Sequence, residues 1–234
     1  FFTALGLRLL QGYGQTETAP VISCNRAHKI KLDTVGPAMP GVEVKIAEDG
    51  EILVRGELTM LGYWNDPAAT ADALKDGWVH TGDVGEIDAD GFIKITDRKK
   101  DIIVLSGGDT LSPQRVEGFL QLEPEIAQAM VVGDKQPYLV ALIVPDADGA
   151  RDWAKSLSKP TDLASLASDN GFHDHIEAVV DRVNKRLSQP ERVRRFRLIA
   201  DPFTTDNSML TPNMKIRRHV IGATYSDKLA ALRG

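Results

Sequence analysis

The feature that most constrains this chain is a change of texture at Asp97-Arg98-Lys99-Lys100-Asp101. A run with so many charges is not tolerated in a buried strand without partners. It leads directly into Ile102–Leu105, a short stretch of mostly β-branched residues that suits a strand, and Ser106-Gly107-Gly108 ends it in a turn. Before the charged run the pattern is one of short strands and turns. Val42-Glu43-Val44-Lys45-Ile46 alternates apolar and charged residues, Asp49-Gly50 suits a hairpin turn, and Glu51–Arg55 follows as a strand. Val84–Asp88 and Phe92–Thr96, joined by Asp90-Gly91, predict another hairpin, and Leu5–Leu10 reads as a buried strand. Asp66 and Pro67 open a short helix.

After the charged run, helix and strand signals mix. Ser112-Pro113 predicts a helix start, with Ser112 as the cap. Ile126–Gly133 and Tyr138–Val144 predict paired strands, and Phe196–Ile199 another strand. Asp146–Leu157, Asp162–Ala167 and about Lys215–Leu232 read as helices. In 173–187 the apolar residues Ile176, Val179, Val180, Val183 and Leu187 share one helical face. The expected fold is therefore mixed α/β of the α+β kind. Residues 1–97 are expected to form a β-rich module and residues 98–234 an α+β domain, with the boundary at about Arg98.

Length and composition exclude several classes. With 42% hydrophobic and 26% charged residues in 234, the chain is globular rather than disordered. A net charge of −5 argues against nucleic acid as a partner. The single Cys24 excludes an internal disulfide framework and suits a reducing, cytoplasmic setting; it has no evident base nearby. The longest apolar run, Tyr138–Val144, is far too short to span a bilayer, so no transmembrane segment is expected here and membrane contact would be peripheral. The chain shows no secretory leader and begins without Met, so it reads as the C-terminal portion of a longer protein.

Tyr13-Gly14-Gln15-Thr16-Glu17 brings an aromatic face, a close-approach glycine, a hydroxyl and a carboxylate into five residues. These are the types that bind a nucleoside triphosphate with Mg²⁺. Alone, such a pentapeptide in a turn is more often structural. Asp83 in His80-Thr81-Gly82-Asp83 reads alone as a turn cap, and Lys215 before Ile216-Arg217-Arg218 as a solvated basic helix start. Arg192, Arg194, Arg195 and Arg197 read as a solvated face, and His173 and His175 lack spacing partners for a metal site.

In this order, these motifs and the charged run resemble the closing motifs of the acyl-adenylate-forming (AMP-binding) superfamily. Gln11–Thr18 and Leu210–Lys215 are similar to its long-chain fatty-acid–CoA ligases. The resemblance implies a parent enzyme that joins a fatty acid to ATP as acyl-AMP and then to CoA as a thioester. It implies that Tyr13 stacks on adenine, Gly14 and Gln15 line the nucleotide, Thr16 meets the α-phosphate and Glu17 ligates Mg²⁺. Asp83 and Arg98 would hold the ribose, Lys100 would be the hinge of a mobile small domain, and Gly107 and Gly108 would line the CoA tunnel. Lys215 would stabilise charge as the fatty carboxylate attacks the α-phosphate.

The commoner superfamily form has glycine where Met214 stands, and this departure favours the long-chain group. The pyrophosphate loop and the acyl pocket are expected upstream of Phe1, in a missing N-terminal part that would be this chain's partner. The rivals are a fatty acyl-AMP ligase that loads a carrier protein and a non-catalytic lid or interaction module. A luciferase-like oxygenase would be expected to carry lysine where Val104 stands.

Overall fold

The computed structural model of the protein describes residues 4–233, a mixed α/β chain of two compact units, Phe1–Asp101 and Ile102–Gly234. The first unit opens with a two-stranded ribbon, β1 (Gly12–Tyr13) against β2 (Ser23–Cys24), with a 3₁₀ turn at Thr16–Thr18 between them. Its main sheet is antiparallel. β3 (Glu43–Ile46) pairs with β4 (Glu51–Arg55), and β4 pairs with the ten-residue β6 (Trp78–Ile87). β5 (Leu74–Lys75) and β7 (Ile93–Arg98) also pair with β6. The turn before β4 forms as its residues require. Gly50 takes φ +83° and Asp49 accepts the amide of Glu51. α1 (Pro67–Ala73) is capped by Asp66, which accepts from the Ala69 amide at 2.9 Å.

Leu5–Leu10 departs from its expectation of a buried strand. No strand is present there, and Leu5, Leu7 and Leu9 are 63%, 53% and 60% exposed. An apolar run becomes a buried strand only when something pairs with it and covers it. Among the described residues, nothing does.

The second unit begins with the ribbon β8 (Ile103–Val104) and β9 (Thr110–Leu111), followed by α2 (Pro113–Gln121). Its sheet has the order β10 (Ile126–Val132), β11 (Leu139–Pro145), β12 (Val193–Leu198), with β10 and β11 antiparallel and β11 and β12 parallel. The connection from β11 to β12 carries α3 (Ala147–Ser156), α4 (Leu163–Leu166) and α5 (Asn170–Asn184). Asp146, Asp162 and Asp169 cap these three helices, each accepting the amide three residues on.

All seven residues of β11 are buried, and they alternate between two cores. Leu139, Ala141 and Ile143 face one that includes Val116, Phe172, Ile176 and Val180. Val140, Leu142 and Val144 face the other, with Phe203, Leu210, Ile221 and Leu229. The second core is the floor on which the chain's last segment lies. That segment includes α6 (Arg218–Thr224) and α7 (Ser226–Arg233), so the expected single tail helix is broken at Tyr225 and starts after Arg217. Among the described residues, no helix is long and apolar enough to cross a membrane.

Candidate functional site

In the first unit, the motif His80-Thr81-Gly82-Asp83 is locked residue by residue. The Thr81 hydroxyl donates to the Ile52 carbonyl at 2.7 Å and accepts from the Asp83 amide at 3.1 Å. Gly82 takes φ +70°, a left-handed turn that glycine adopts without steric cost, and its amide donates to Glu51 Oε1 at 2.9 Å. The kink delivers Asp83 to a buried position on β6, opposite Arg98 in the β6–β7 register.

Asp83 is held from two sides. The Tyr13 hydroxyl donates to Oδ2 at 2.6 Å, and Arg98 Nε lies 3.1 Å from Oδ1. A carboxylate offers about four lone-pair sites, so two such bonds still leave acceptor capacity for a diol. Tyr13, Asp83 and Arg98, far apart in sequence, thus form one cluster. Tyr13 itself is only 9% exposed and packs with Ile22, Ile52, Val54 and Ile93. Burial, reinforced by the bond to Asp83, pushes its phenol well above the ordinary tyrosine range. Beside the cluster, a cavity of about 360 Å³ is lined by Thr81, Gly82, Arg98, Lys99 and Lys100. Of its three cations, Arg98 is paired with Asp83, and Lys99 with Asp49 and Glu51.

The loop after Tyr13 owes its shape to close approach. A Cβ on Gly14 would sit 1.5 Å from the Pro20 carbonyl oxygen, so this glycine is required by the chain's own packing. Gln15 and Thr18 bracket the 3₁₀ turn by reciprocal bonds, leaving Thr16 exposed. Glu17 Oε1 accepts from the Tyr63 hydroxyl at 2.6 Å, and this bond, with some burial, pushes the Tyr63 phenol up to about 12. Nothing local in the sequence points to Tyr63, which lies 46 residues from Glu17. One oxygen of Glu17 is thereby oriented while the carboxylate remains half-buried. Mg²⁺ takes one or two carboxylates and keeps waters and phosphate oxygens, and the residues present fit that ion.

In the sequence Glu51 is only the start of a strand, yet in the fold it organises this region. It is 4% exposed; Oε1 holds the Gly82 amide, and Oε2 lies 3.0 Å from both Lys99 Nζ and His80 Nδ1. An acid at the head of the apolar run Ile52-Leu53-Val54 is the signal that could have found it. Burial alone would raise its carboxyl; the bonds from His80, Lys99 and Gly82 outweigh burial and hold it below the ordinary 4.5. A carboxylate with a depressed folded-state pKa stabilises the fold above its unfolded value, and that contribution fades as pH falls through the folded value. Glu51→Gln is therefore expected to cost about 2 kcal/mol at pH 7, with the gap to the parent chain narrowing as pH falls below the ordinary glutamate range. Chemical unfolding of both proteins at pH 7 and at successively lower pH measures it.

In the second unit, the Lys215 loop is a tight reversal. The Lys215 amide donates to the Thr211 hydroxyl at 3.0 Å, the Thr211 amide to the Lys215 carbonyl at 2.8 Å, and the Met214 amide to the Thr211 carbonyl at 2.8 Å. Leu210 bridges Ile216. Met214 takes φ +60°, a left-handed conformation that costs a side-chain-bearing residue roughly 1–2 kcal/mol. The turn requires a backbone handedness that glycine supplies freely and that methionine adopts here under strain. Lys215 is exposed. Gly107 and Gly108 are exposed, and Gly108 takes φ +92°. On α5, His173, Asp174 and Glu177 present ligand atoms within 4.8 Å of one another, so His173 does have neighbours that spacing alone did not reveal. Its ring stacks on Phe196, and exposed acids on one helical turn commonly gather in this way.

Two sequence families match this chain. Residues 1–64 match the AMP-binding enzyme family, and residues 100–233 match the AMP-binding enzyme C-terminal domain. The chain is 39% identical over 234 residues to the long-chain-fatty-acid–CoA ligase FadD15 of Mycobacterium bovis, covering 99% of this chain and 39% of that protein. It is 35% identical over 230 residues to long-chain-fatty-acid–CoA ligase 1 of Cavia porcellus, covering 92% of this chain and 33% of that protein. Among solved structures, O-succinylbenzoate coenzyme A synthetase from Bacillus subtilis in complex with AMP superposes with a TM-score of 0.70 at 27% identity. That match covers 93% of this chain and 41% of the other. The chain thus spans well under half the length of these relatives.

Proposed function

Because the chain belongs to the AMP-binding enzyme family, we propose that it is the C-terminal part of an ATP-dependent long-chain fatty-acid–CoA ligase acting in the cytoplasm. The observation that carries this reading is Asp83, held between Tyr13 and Arg98 with acceptor capacity to spare, beside a cavity lined by Thr81, Gly82, Arg98, Lys99 and Lys100. A ribose diol offers two hydroxyl donors that such a carboxylate can accept, and Arg98 adds a donor at the same place. The printed names of the relatives support the acyl class: a long-chain fatty acid, with CoA as acceptor.

In this reading, Tyr13 holds Asp83 in orientation through its hydroxyl while its ring borders the base. Thr16 donates to the α-phosphate, with Gly14 and Gln15 shaping the loop beneath it. Mg²⁺ on Glu17 would neutralise phosphate charge when bound. Lys215 stabilises the negative charge that develops as the fatty carboxylate attacks the α-phosphorus and pyrophosphate leaves. The small domain then turns about Lys100, and the Gly107-Gly108 loop admits the pantetheine chain, whose thiol displaces AMP from the acyl carbonyl. Peripheral membrane contact would suit an insoluble substrate.

The test uses the complete enzyme with a long-chain fatty acid, ATP and Mg²⁺, following pyrophosphate release, then CoA consumption. Acyl-AMP followed by acyl-CoA is expected. Acyl transfer to a carrier-protein phosphopantetheine but not to CoA would replace this reading with that of a fatty acyl-AMP ligase. Failure to release pyrophosphate would leave only the lid or interaction module.

A further inference from the structure

The bonds that shape the Lys215 loop are local, so they fix its form without tying it to the sheet. A part-buried ion pair three residues on adds a hydrogen-bonded tie. Glu117 of α2 is 5% exposed, and its two oxygens accept from the two terminal nitrogens of Arg218, each at 2.7 Å. Arg218 is the first residue of α6, and Lys215 lies three residues before it.

The pair also engages the main chain of β10. Val131 stands opposite Ala141 of β11, while its amide donates to Glu117 Oε1 at 2.8 Å and its carbonyl accepts from Arg218 Nη1 at 3.3 Å. β10 is an edge strand of its sheet. Glu117 and Arg218 together give Val131 the acceptor and the donor that a neighbouring strand would give. Two parallel bonds from a planar guanidinium fix direction as well as distance, which a lysine in its place could not do.

We propose that Glu117 and Arg218 are positioning residues for acyl-adenylate formation, holding the Lys215 loop at a set place on the β10 edge. Neither residue is assigned contact with substrate. The proposal rests on the reading of Lys215 given above, and the physical reason is geometric. Lys215 is exposed on a long flexible side chain, so its charge can be aimed only if the backbone beneath it is held. A misplacement of about 1 Å costs on the order of 10² in rate. The fork holds that backbone at its C-terminal end, and the packing of Leu210 into the second core holds it at the other.

The decisive variant is Arg218→Lys in the complete enzyme, which keeps the charge and loses the fork. Adenylation is expected to slow roughly ten- to hundredfold through kcat, with the KM for ATP unchanged. Conversion of pre-formed acyl-AMP and CoA should stay within about twofold of the parent rate. Glu117→Gln, which keeps an acceptor, should move the same way by less. An Arg218→Lys enzyme with full adenylation overturns the proposal, as does an equal loss in both half-reactions. Lys215→Ala is assayed alongside: if it leaves adenylation intact, the reading of Lys215 has failed. If Lys215→Ala abolishes adenylation and Arg218→Lys leaves it untouched, only the positioning role has failed. Should Arg218→Lys not fold, hydrogen exchange of the complete enzyme carrying Glu117→Gln decides. Faster exchange confined to residues 209–218 and Val131 supports the proposal, and uniform acceleration overturns it.

Discussion

Alanine at Lys215 is expected to lower acyl-adenylate formation in the complete enzyme by about 10²–10³-fold while thioester formation from pre-formed acyl-AMP proceeds nearly unchanged. The difference follows from where charge appears. In the first half-reaction a carboxylate attacks an already anionic phosphate, and the ammonium opposes that build-up. In the second, a thiol attacks an activated carbonyl and AMP leaves. Lys215 is exposed on a reversal whose shape comes from the hydrogen bonds of Thr211 and Met214, so removing its side chain beyond Cβ should leave the loop and the melting temperature unaltered. Equal failure of both half-reactions would show that Lys215 serves the fold, and its catalytic role would be withdrawn.

Proline at Lys100 is expected to separate the two half-reactions in a different way, sparing one and reducing the other by on the order of 10². Lys100 is an exposed turn residue, flanked by the Lys99 amide bonded to the Gly82 carbonyl and the Asp101 amide bonded to the Arg98 carbonyl. Proline fixes φ near −65° and restricts the preceding residue. A hinge that must take two backbone conformations is then held in one. Each half-reaction is measured separately, with a melting curve to show that the variant is folded. A folded variant with both steps intact, or both equally slowed, would remove the hinge.

What the sequence made legible was whatever local chemistry decides. Ser112-Pro113 and Asp66-Pro67 mark helix starts because cap and first-turn preferences act within three or four residues. The alternation of Val42–Ile46 and the apolar run ending at Val144 mark strands for the same reason. Leu5–Leu10 misled because an apolar run states a need for cover without saying whether any is present. At the candidate site, the motifs supplied residue identities but not their connections. The bonds from Tyr13 to Asp83 and from Glu17 to Tyr63 cross 70 and 46 residues, distances at which a sequence leaves no periodic trace. Glu117 was the more readable case. It shares the buried stripe of α2 with Val116 and Leu120, and an acid on an apolar stripe announces that a partner is near. Met214 stands in the sequence as a departure from glycine, and its positive φ shows why glycine suits the position.

The fork of Glu117 and Arg218 on Val131 has a second consequence, for association between molecules. An edge strand with free amides and carbonyls is a template onto which another chain can add, and proteins guard such edges with charge. Here the guard occupies the hydrogen-bonding groups themselves as well as surrounding them with charge, so a stray strand would have to displace a bidentate ion pair before it could pair with Val131. The contact that braces the Lys215 loop thereby also closes one place at which the sheet could grow.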